Sequence, residues 1–260
     1  MSKKEKTDYL IQAVSHALDL LEQFREDVDE LGVTELSKRL NLHKNNVFRL
    51  LATLESRNYI EQNKVTENYR LGLKTLELGQ TYIRQMGLLR QARPILERLV
   101  KECNETTYVA ILKDFKIVYL DVVETDMTVR VVPRVGTQLP AYCTAAGKVQ
   151  IAAMSDEELA KYLPARELKR YTPNTVIDRD ALKKQLKQIV EQDYAIDDEE
   201  LDLGVRCVGA PIRDYTRRIV GAVSISGPSM RLTDERIEKD LVPLVKKAAD
   251  EISNRLGYNR

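Results

Sequence analysis

In "NLHKNNVFRLLATLE", Asn41–Glu55, apolar residues recur at Val47, Leu50, Leu51 and Leu54. This i, i+3, i+4, i+7 spacing predicts one buried helical face. The opposite side carries Asn45, Arg49, Ala52 and Ser56, flanked by Asn46 and Thr53. Solvated helix faces usually carry long Glu and Lys side chains, whereas these amides, one arginine and small residues let a backbone come close to another surface. On composition alone the face fits plain solvent exposure as well. Just upstream, "GVTELSKRLNL" predicts a short helix capped by Thr34, with Glu35 in its first turn. Leu36 and Leu40 face inward, and Asn41 closes the helix in a left-handed conformation. Only a short turn over 41–43 then separates two helices, the pattern of a helix-turn-helix. Downstream, Tyr59, Ile60 and Gln62 predict a strand, 63–68 a polar turn and 69–71 a return strand. A hairpin directly after a recognition helix is a wing. Ahead of these elements a first helix is expected over Tyr9–Phe24, lined by Ile11, Val14, Leu18 and Leu21. The acidic run 26–30 after it is expected to be a solvated loop.

The next stretch, Leu73–Met86, predicts a helix with Leu76, Gly79, Ile83 and Met86 nearly collinear. Its apolar side is too sparse for a large core, so it is expected to connect two domains and to pair with its copy in a second chain. A helix over Arg90–Cys103 tolerates Pro94 only in or near its first turn. The period then changes: "TYVAILKD", "KIVYLDVVE" and "TVRVVPRVG" predict strands, and "AAGKVQIAAM" and "SDEELAKYL" predict helices. "DRDALKKQLKQIVEQDY" predicts a helix capped by Asp178, and "GVRCVGAPIRD" with "RIVGAVSISG" predicts a hairpin. A last helix runs from near Thr233 to Leu256. Strands, then helices, then strands indicate an α+β chain with an antiparallel sheet covered by helices. The expected domains are 1–72 (winged helix-turn-helix), 73–87 (connector helix) and 88–260 (ligand-binding domain).

Composition narrows the function classes. Of 260 residues 43% are hydrophobic, enough for sizeable cores, and 31% are charged. No apolar run approaches a membrane span, and the charged N-terminus lacks the apolar stretch of a secretory leader, so a cytoplasmic location is expected. Cys103, Cys143 and Cys207 are scattered, and His16 and His43 are near none of them, so no metal and no cofactor are expected. The net charge is only +1. Yet from Thr34 to Lys74 there are eight Lys or Arg against four Asp or Glu, a local excess of +4 where phosphates would be met.

Taken together, "AVSHALDLLEQF", "TELSKRLNLHKNNVFRLLATLESRNYIEQ" and "YRLGLKTLELG" resemble the winged-helix domain of the IclR-type bacterial transcription regulators. "LPAYCTAAGKVQIAAM", "YAIDDEELDLGVRCVGAPIRD" and "VGAVSISGPSMRL" resemble that family's C-terminal effector-binding domain, in the family's order. The resemblance covers about Val14 to Leu256. It implies a GAF-like or PAS-like effector fold, dimers associating into tetramers, and operator binding to double-stranded DNA tuned by a small organic acid. On the recognition helix Lys44, Asn45, Asn46 and Arg49 are the candidate DNA contacts. Asn45 and Arg49 are the expected base readers, since Asn pairs with an adenine edge and Arg with a guanine edge. Lys44, Lys64 and Arg70 are the expected phosphate contacts. A symmetric dimer would read an inverted repeat.

In "LPAYCTAAGKV" Thr144 is a plausible N-cap, and the first-turn N–H groups of Ala145 and Ala146 are open to an anion, though an ordinary tight helix entry reads the same way. The resemblance implies that Ala145 and Ala146 offer these groups to the effector, and points also to Asp197, Val205, Cys207, Ser224 and Ser226. Ser224 and Ser226 share one strand face, as do Val205 and Cys207; Val129 and Val131 can supply an apolar wall. Several family members carry a His just before this loop, whereas "PAYC" has Tyr142, which is expected to reshape the pocket. A catalytic role for Cys207 needs a base, and neither histidine is in this domain, so no catalytic residue is assigned. An enzyme built on Cys207 and a winged-helix protein-interaction module are the alternatives.

Overall fold

The computed structural model describes residues 10–24, 28–85, 87–132, 135–163 and 168–258. The chain divides into two compact units, 1–85 and 86–260. Tyr9, Glu26 and Met86 of the expectations above lie outside the described residues, as does the side chain of Ile83.

The first unit contains α1 (Gln12–Leu21), α2 (Val33–Leu40), α3 (Lys44–Ser56), the hairpin β1 (Ile60–Gln62) and β2 (Tyr69–Leu71), and α4 (Leu73–Gln85). Its core joins Leu20, Leu31, Leu36, Val47, Leu51, Leu54, Ile60 and Tyr69. The seam foreseen on α3 is therefore the buried one, with Leu50 packed at its edge. Asn41 ends α2 in the left-handed conformation (φ 51°, ψ 42°), as its short polar side chain permits.

Three expectations fail here. Gly32, not Thr34, occupies the N-cap of α2, which begins two residues earlier than the Thr34 cap required. The first helix is shorter than Tyr9–Phe24, and of its expected core face only Leu21 packs inward. Leu10, Ile11, Val14 and Leu18 are 53–69% exposed, whereas Leu20 is buried. The helix has apolar residues on two sides, and periodicity does not say which side its own core takes. Finally, Glu30 is not a solvated acid. Its carboxylate accepts from Asn63 Nδ2 and Thr66 Oγ1, both at 2.6 Å, and so holds the wing turn. Those two donors place its pKa below the usual glutamate value.

The second unit is one antiparallel sheet between helices. Its strands are β3 (Thr106–Lys113), β4 (Lys116–Val123), β5 (Gln138–Pro140), β6 (Ala195–Asp198), β7 (Val205–Arg213) and β8 (Ile219–Pro228), ordered β5-β4-β3-β8-β7-β6. On one face lie α6 (Ala145–Ile151) and α8 (Arg179–Gln192), sharing a core with Tyr108, Ala110, Tyr119 and Ala222. The other face is covered by α5 (Gly87–Cys103) and α10 (Val242–Arg255), which pack on each other and on the sheet. Between them in sequence come α7 (Asp156–Tyr162), opened by a Ser155–Glu158 capping box, and α9 (Asp234–Arg236), which passes through a π-helical turn into α10. Asp178 caps α8, its carboxylate accepting from Ala181 N at 2.7 Å.

Two further expectations are corrected. Helix α5 starts at Gly87, so Pro94 sits in its interior, not its first turn. Burial of Leu88, Leu89, Ala92, Ile95, Leu96 and Leu99 along the helix offsets the lost backbone bond. The stretch around Thr128–Val132 forms no strand, although its valines alternate suitably. Because the two units have separate cores, Leu51→Ala should cost the first unit about 2–5 kcal/mol. Chemical denaturation of the full chain should show one transition moved and the other unchanged.

Candidate functional site

Two sites emerge, one per unit. In the first, His43 precedes α3, and its ring Nδ1 accepts from Asn45 N at 3.3 Å. Burial of Val47, Leu51 and Leu54 turns Lys44, Asn45, Asn46, Arg49, Ala52 and Thr53 outward, and all six are exposed. The wing is registered by the pairs Ile60–Leu71, Glu61–Arg70 and Gln62–Tyr69. Leu31 adds a bridge to Tyr69. Within the turn Asn63 Oδ1 accepts from Val65 N at 2.9 Å, which leaves Lys64 and Val65 at an exposed tip. Arg70, expected to meet a phosphate, pairs with Glu61 (Nε–Oε1 2.6 Å). Such exposed pairs contribute only about 0–1 kcal/mol, so a phosphate can compete for the guanidinium.

The second site is set by strand register. Thr106 lies opposite Ser226, Ser226 opposite Cys207, and Cys207 opposite Asp197. Cross-strand partners point to the same face, so four polar side chains form one row across four strands. Ser226 Oγ donates to Cys207 Sγ (2.9 Å) and lies 3.2 Å from Tyr108 Oη. The next row holds Tyr108, Ser224, Gly209 and Ala195. Ser224 Oγ donates to Val208 O at 2.8 Å. Gly209 is where α6 comes down on the sheet, since a Cβ there would stand 3.0 Å from the Ala145 carbonyl carbon and 3.1 Å from Ala146 N. Thr144 occupies the N-cap, but its hydroxyl donates to Pro140 O (3.0 Å) instead of capping, so it does not take up the first-turn N–H groups.

Ala145, Ala146, Asp197, Cys207, Ser224 and Ser226 are thus brought together and buried. Val205, at the start of β7, is half-buried on the same face by alternation. Val129 and Val131 are not strand residues. Val129 is 61% exposed, and its carbonyl accepts from Arg231 Nη1 at 2.8 Å. Arg231 is held in turn by the buried Glu105 (2.6 and 2.7 Å). Tyr142 is turned to another purpose, its hydroxyl donating to Lys169 O at 2.7 Å.

Sequence reasoning missed Thr106, Tyr108, Tyr119, Lys148 and Glu200. Tyr108 and Tyr119 meet edge to face at 4.5 Å. Lys148, fully buried on α6, pairs with Glu200 Oε1, while Glu200 Oε2 and Thr106 Oγ1 are buried without a hydrogen-bond partner. No linear signal marks these groups, because they meet only through the folded packing: Thr106 and Tyr108 where β3 lies beside β8, Tyr119 across the β3–β4 pair, and Lys148 where α6 meets Glu200 after β6.

Electrostatics follow from burial. Desolvation raises Asp197 to about 7, against the pull of the Lys148 ammonium and the Glu200 N–H bond (2.8 Å). Desolvation, then the Asp197 carboxylate, drives the Cys207 thiol far above its ordinary value. Burial thus keeps the Cys207 thiol in its protonated, weakly nucleophilic form. Among the described residues no group of three His, Cys, Asp or Glu could hold a metal.

The raised Asp197 has a consequence for stability. The folded chain holds a proton here that the unfolded chain releases near pH 4, so this group's stabilising contribution is lost as pH rises from about 4 to about 7. Asp197→Asn, with Lys148, Glu200, Cys143 and Cys207 still around it, should remove that slope. Thermal unfolding at pH 5 and pH 8 should show the variant gaining on the parent at the higher pH.

Comparison with known proteins assigns both parts of the chain to one family. Residues 13–64 match the IclR helix-turn-helix domain, and residues 80–254 match the bacterial transcriptional regulator IclR C-terminal domain. The chain is 35% identical to the HTH-type transcriptional regulator XynR of Escherichia coli (strain K12), over 96% of this chain and 98% of that protein. The crystal structure of the Thermotoga maritima IclR is similar at 33% identity and a TM-score of 0.78, covering 94% of this chain and 98% of that one. An IclR homologue from Microbacterium hydrocarbonoxydans, complexed with 4-hydroxybenzoate, shares the fold at 22% identity with a TM-score of 0.84, covering 95% and 99%. On these matches the chain belongs to the IclR family of bacterial DNA-binding transcriptional regulators.

Proposed function

We propose that the chain reads an inverted-repeat operator as a homodimer, associating further as a dimer of dimers, and that a small organic acid in the second unit sets its operator affinity. The observation that carries this reading is α3. Its apolar seam is wholly committed to the core, and Asn45 and Arg49 stand on the opposite, exposed side. Asn45 and Arg49 read base edges, with Asn46 beside them; Lys44, Lys64 and Arg70 meet phosphates. The exposed stripe Leu10, Ile11, Val14 and Leu18 supports the homodimer, since a second copy would remove it from water. In this reading 1–72 binds DNA, 73–87 connects, and 88–260 senses the effector in the cytoplasm.

The effector contacts are Ala145, Ala146, Asp197, Val205, Cys207, Ser224 and Ser226, with Val129 and Val131 closing one side. The buried polar row supports a ligand with several hydrogen-bonding atoms, and the Lys148 ammonium in its neighbourhood favours an acid. A relative of the same fold is complexed with an aromatic acid, 4-hydroxybenzoate. Coupling of this kind is typically about 1–3 kcal/mol between the two sites.

Binding of the purified chain to DNA upstream of its own gene, against shuffled DNA at two salt concentrations, tests the reading. Tight, sequence-dependent and salt-sensitive binding is expected, shifted by one member of a panel of small acids. Loss of preference over every genomic fragment, with and without the acids, overturns it. Arg49→Ala should cost about 1–3 kcal/mol and relax preference at one base step. Lys64→Ala should weaken all sequences alike and lower the salt slope by about one.

A further inference from the structure

Phe48 has no place in the core of the first unit. Leu20, Leu31, Leu36, Val47, Leu51 and Ile60 are all essentially inaccessible, whereas the Phe48 ring is 56% exposed. Only three phenylalanines occur in the chain, and this one stands on the recognition helix. An ideal helix places it about 95° from the buried direction defined by Val47, Leu51 and Leu54. That position lies between the seam and the outward face, one turn from Asn45 on one side and from Ala52 on the other. Side chains at i and i+3 are neighbours on a helix surface, with Cβ atoms about 5–6 Å apart. Ala52 is exposed and adds nothing beyond its methyl group, so the ring has open space toward whatever α3 approaches.

We propose that Phe48 is a specificity-determining residue that selects thymine, its ring packing against the thymine 5-methyl group in the major groove. This rests on the reading of α3 as the base-reading helix. Among the four bases only thymine presents a methyl group in that groove, and an aromatic side chain is one of the apolar partners that can meet it. The ring leaves water when it does so, which gives its exposure in the free protein a use. Asn45 reads adenine one helical turn away, so the selected thymine falls within about two base steps (3.4 Å each) of that adenine. Polar readers alone would leave the thymine methyl uncontacted; Phe48 adds a contact that cytosine, which has no such methyl group, does not offer.

The test uses the full chain. Operator sites are first selected from a random duplex pool. Each thymine of the selected site is then replaced singly by deoxyuridine, which removes the methyl group and keeps the pairing. One symmetry-related thymine per half-site should respond, with binding weakened about fourfold, the transfer value of one buried methyl group. Phe48→Ala should abolish that response while keeping the salt slope, and Phe48→Leu should retain part of it, a cycle that isolates the ring–methyl contact. Indifference of the parent chain to every deoxyuridine, or an undiminished response in Phe48→Ala, overturns the proposal. A change of oligomeric size in Phe48→Ala by sedimentation also overturns it, because the ring would then hold two copies together. If Arg49→Ala shifts base preference while deoxyuridine has no effect, only the Phe48 assignment falls. If no sequence is selected at all, the reading of α3 falls, and Phe48 with it.

Discussion

The register of β8 between β3 and β7 is the constraint on which the second unit depends. Side chains on a strand alternate faces, so a slip of one residue would turn Ser224 and Ser226 away and bring Val223 and Ile225 to their places. The register is held by what each face must bury. Val223 and Ile225 are fully buried on one face, where α5 and α10 pack, while Ala222 belongs to the core under α6. The small residues on the α6 side are part of the same constraint. Gly209 lets the start of α6 approach the strand to contact distance, and Gly147 fits against Ala141 where a Cβ would stand 2.3 Å from its carbonyl oxygen. The polar row is therefore a by-product of apolar packing on its surroundings, and it is placed as rigidly as they are.

Burying such a row is costly, and the structure distributes the cost unequally. Lys148 pairs with Glu200 Oε1, and both are deeply buried, while Glu200 Oε2 is left without a hydrogen-bond partner. Asp197 then has only part of the ammonium field and a backbone N–H, and it is the group whose proton affinity rises. Buried ion pairs gain little over an apolar core but are severely destabilising when one partner is removed. That asymmetry means the groups are held in place by one another.

Much of the first unit is legible in the sequence because its elements are short, amphipathic and consecutive. The α3 seam, the left-handed Asn41 and the wing hairpin all follow from local periodicity and turn chemistry. What failed was equally local. Thr34 and Gly32 both suit an N-cap, and only packing of the chain around Leu31 and Leu36 decides between them. In the second unit the strand-bound candidates Asp197, Cys207, Ser224 and Ser226 were legible through alternation and family likeness. Thr106 and Tyr108 were not, because their role arises from β3 lying next to β8, more than a hundred residues away in sequence, and Lys148 was not, because its partner Glu200 lies 52 residues further on. The stretch 128–132 misled for the opposite reason: its valines alternate as strand residues do, yet it joins no strand.

The residues that fit their own core least well share one property. Leu10 and Ile11 just before α1, Val14 and Leu18 on it, Phe48 on α3 and Val65 at the wing tip are apolar and exposed, all within a unit that has its own buried core. Folding of this unit alone gives none of them a reason to be apolar. In the proposed reading each belongs to half of a contact: the α1 stripe with a second copy, Phe48 and the wing with a duplex. The polar groups of the same unit point the same way, since Glu30 spends its carboxylate on fixing the wing turn and not on solvent. A small domain that stiffens its projections and leaves apolar groups on them is built for surfaces it does not itself contain.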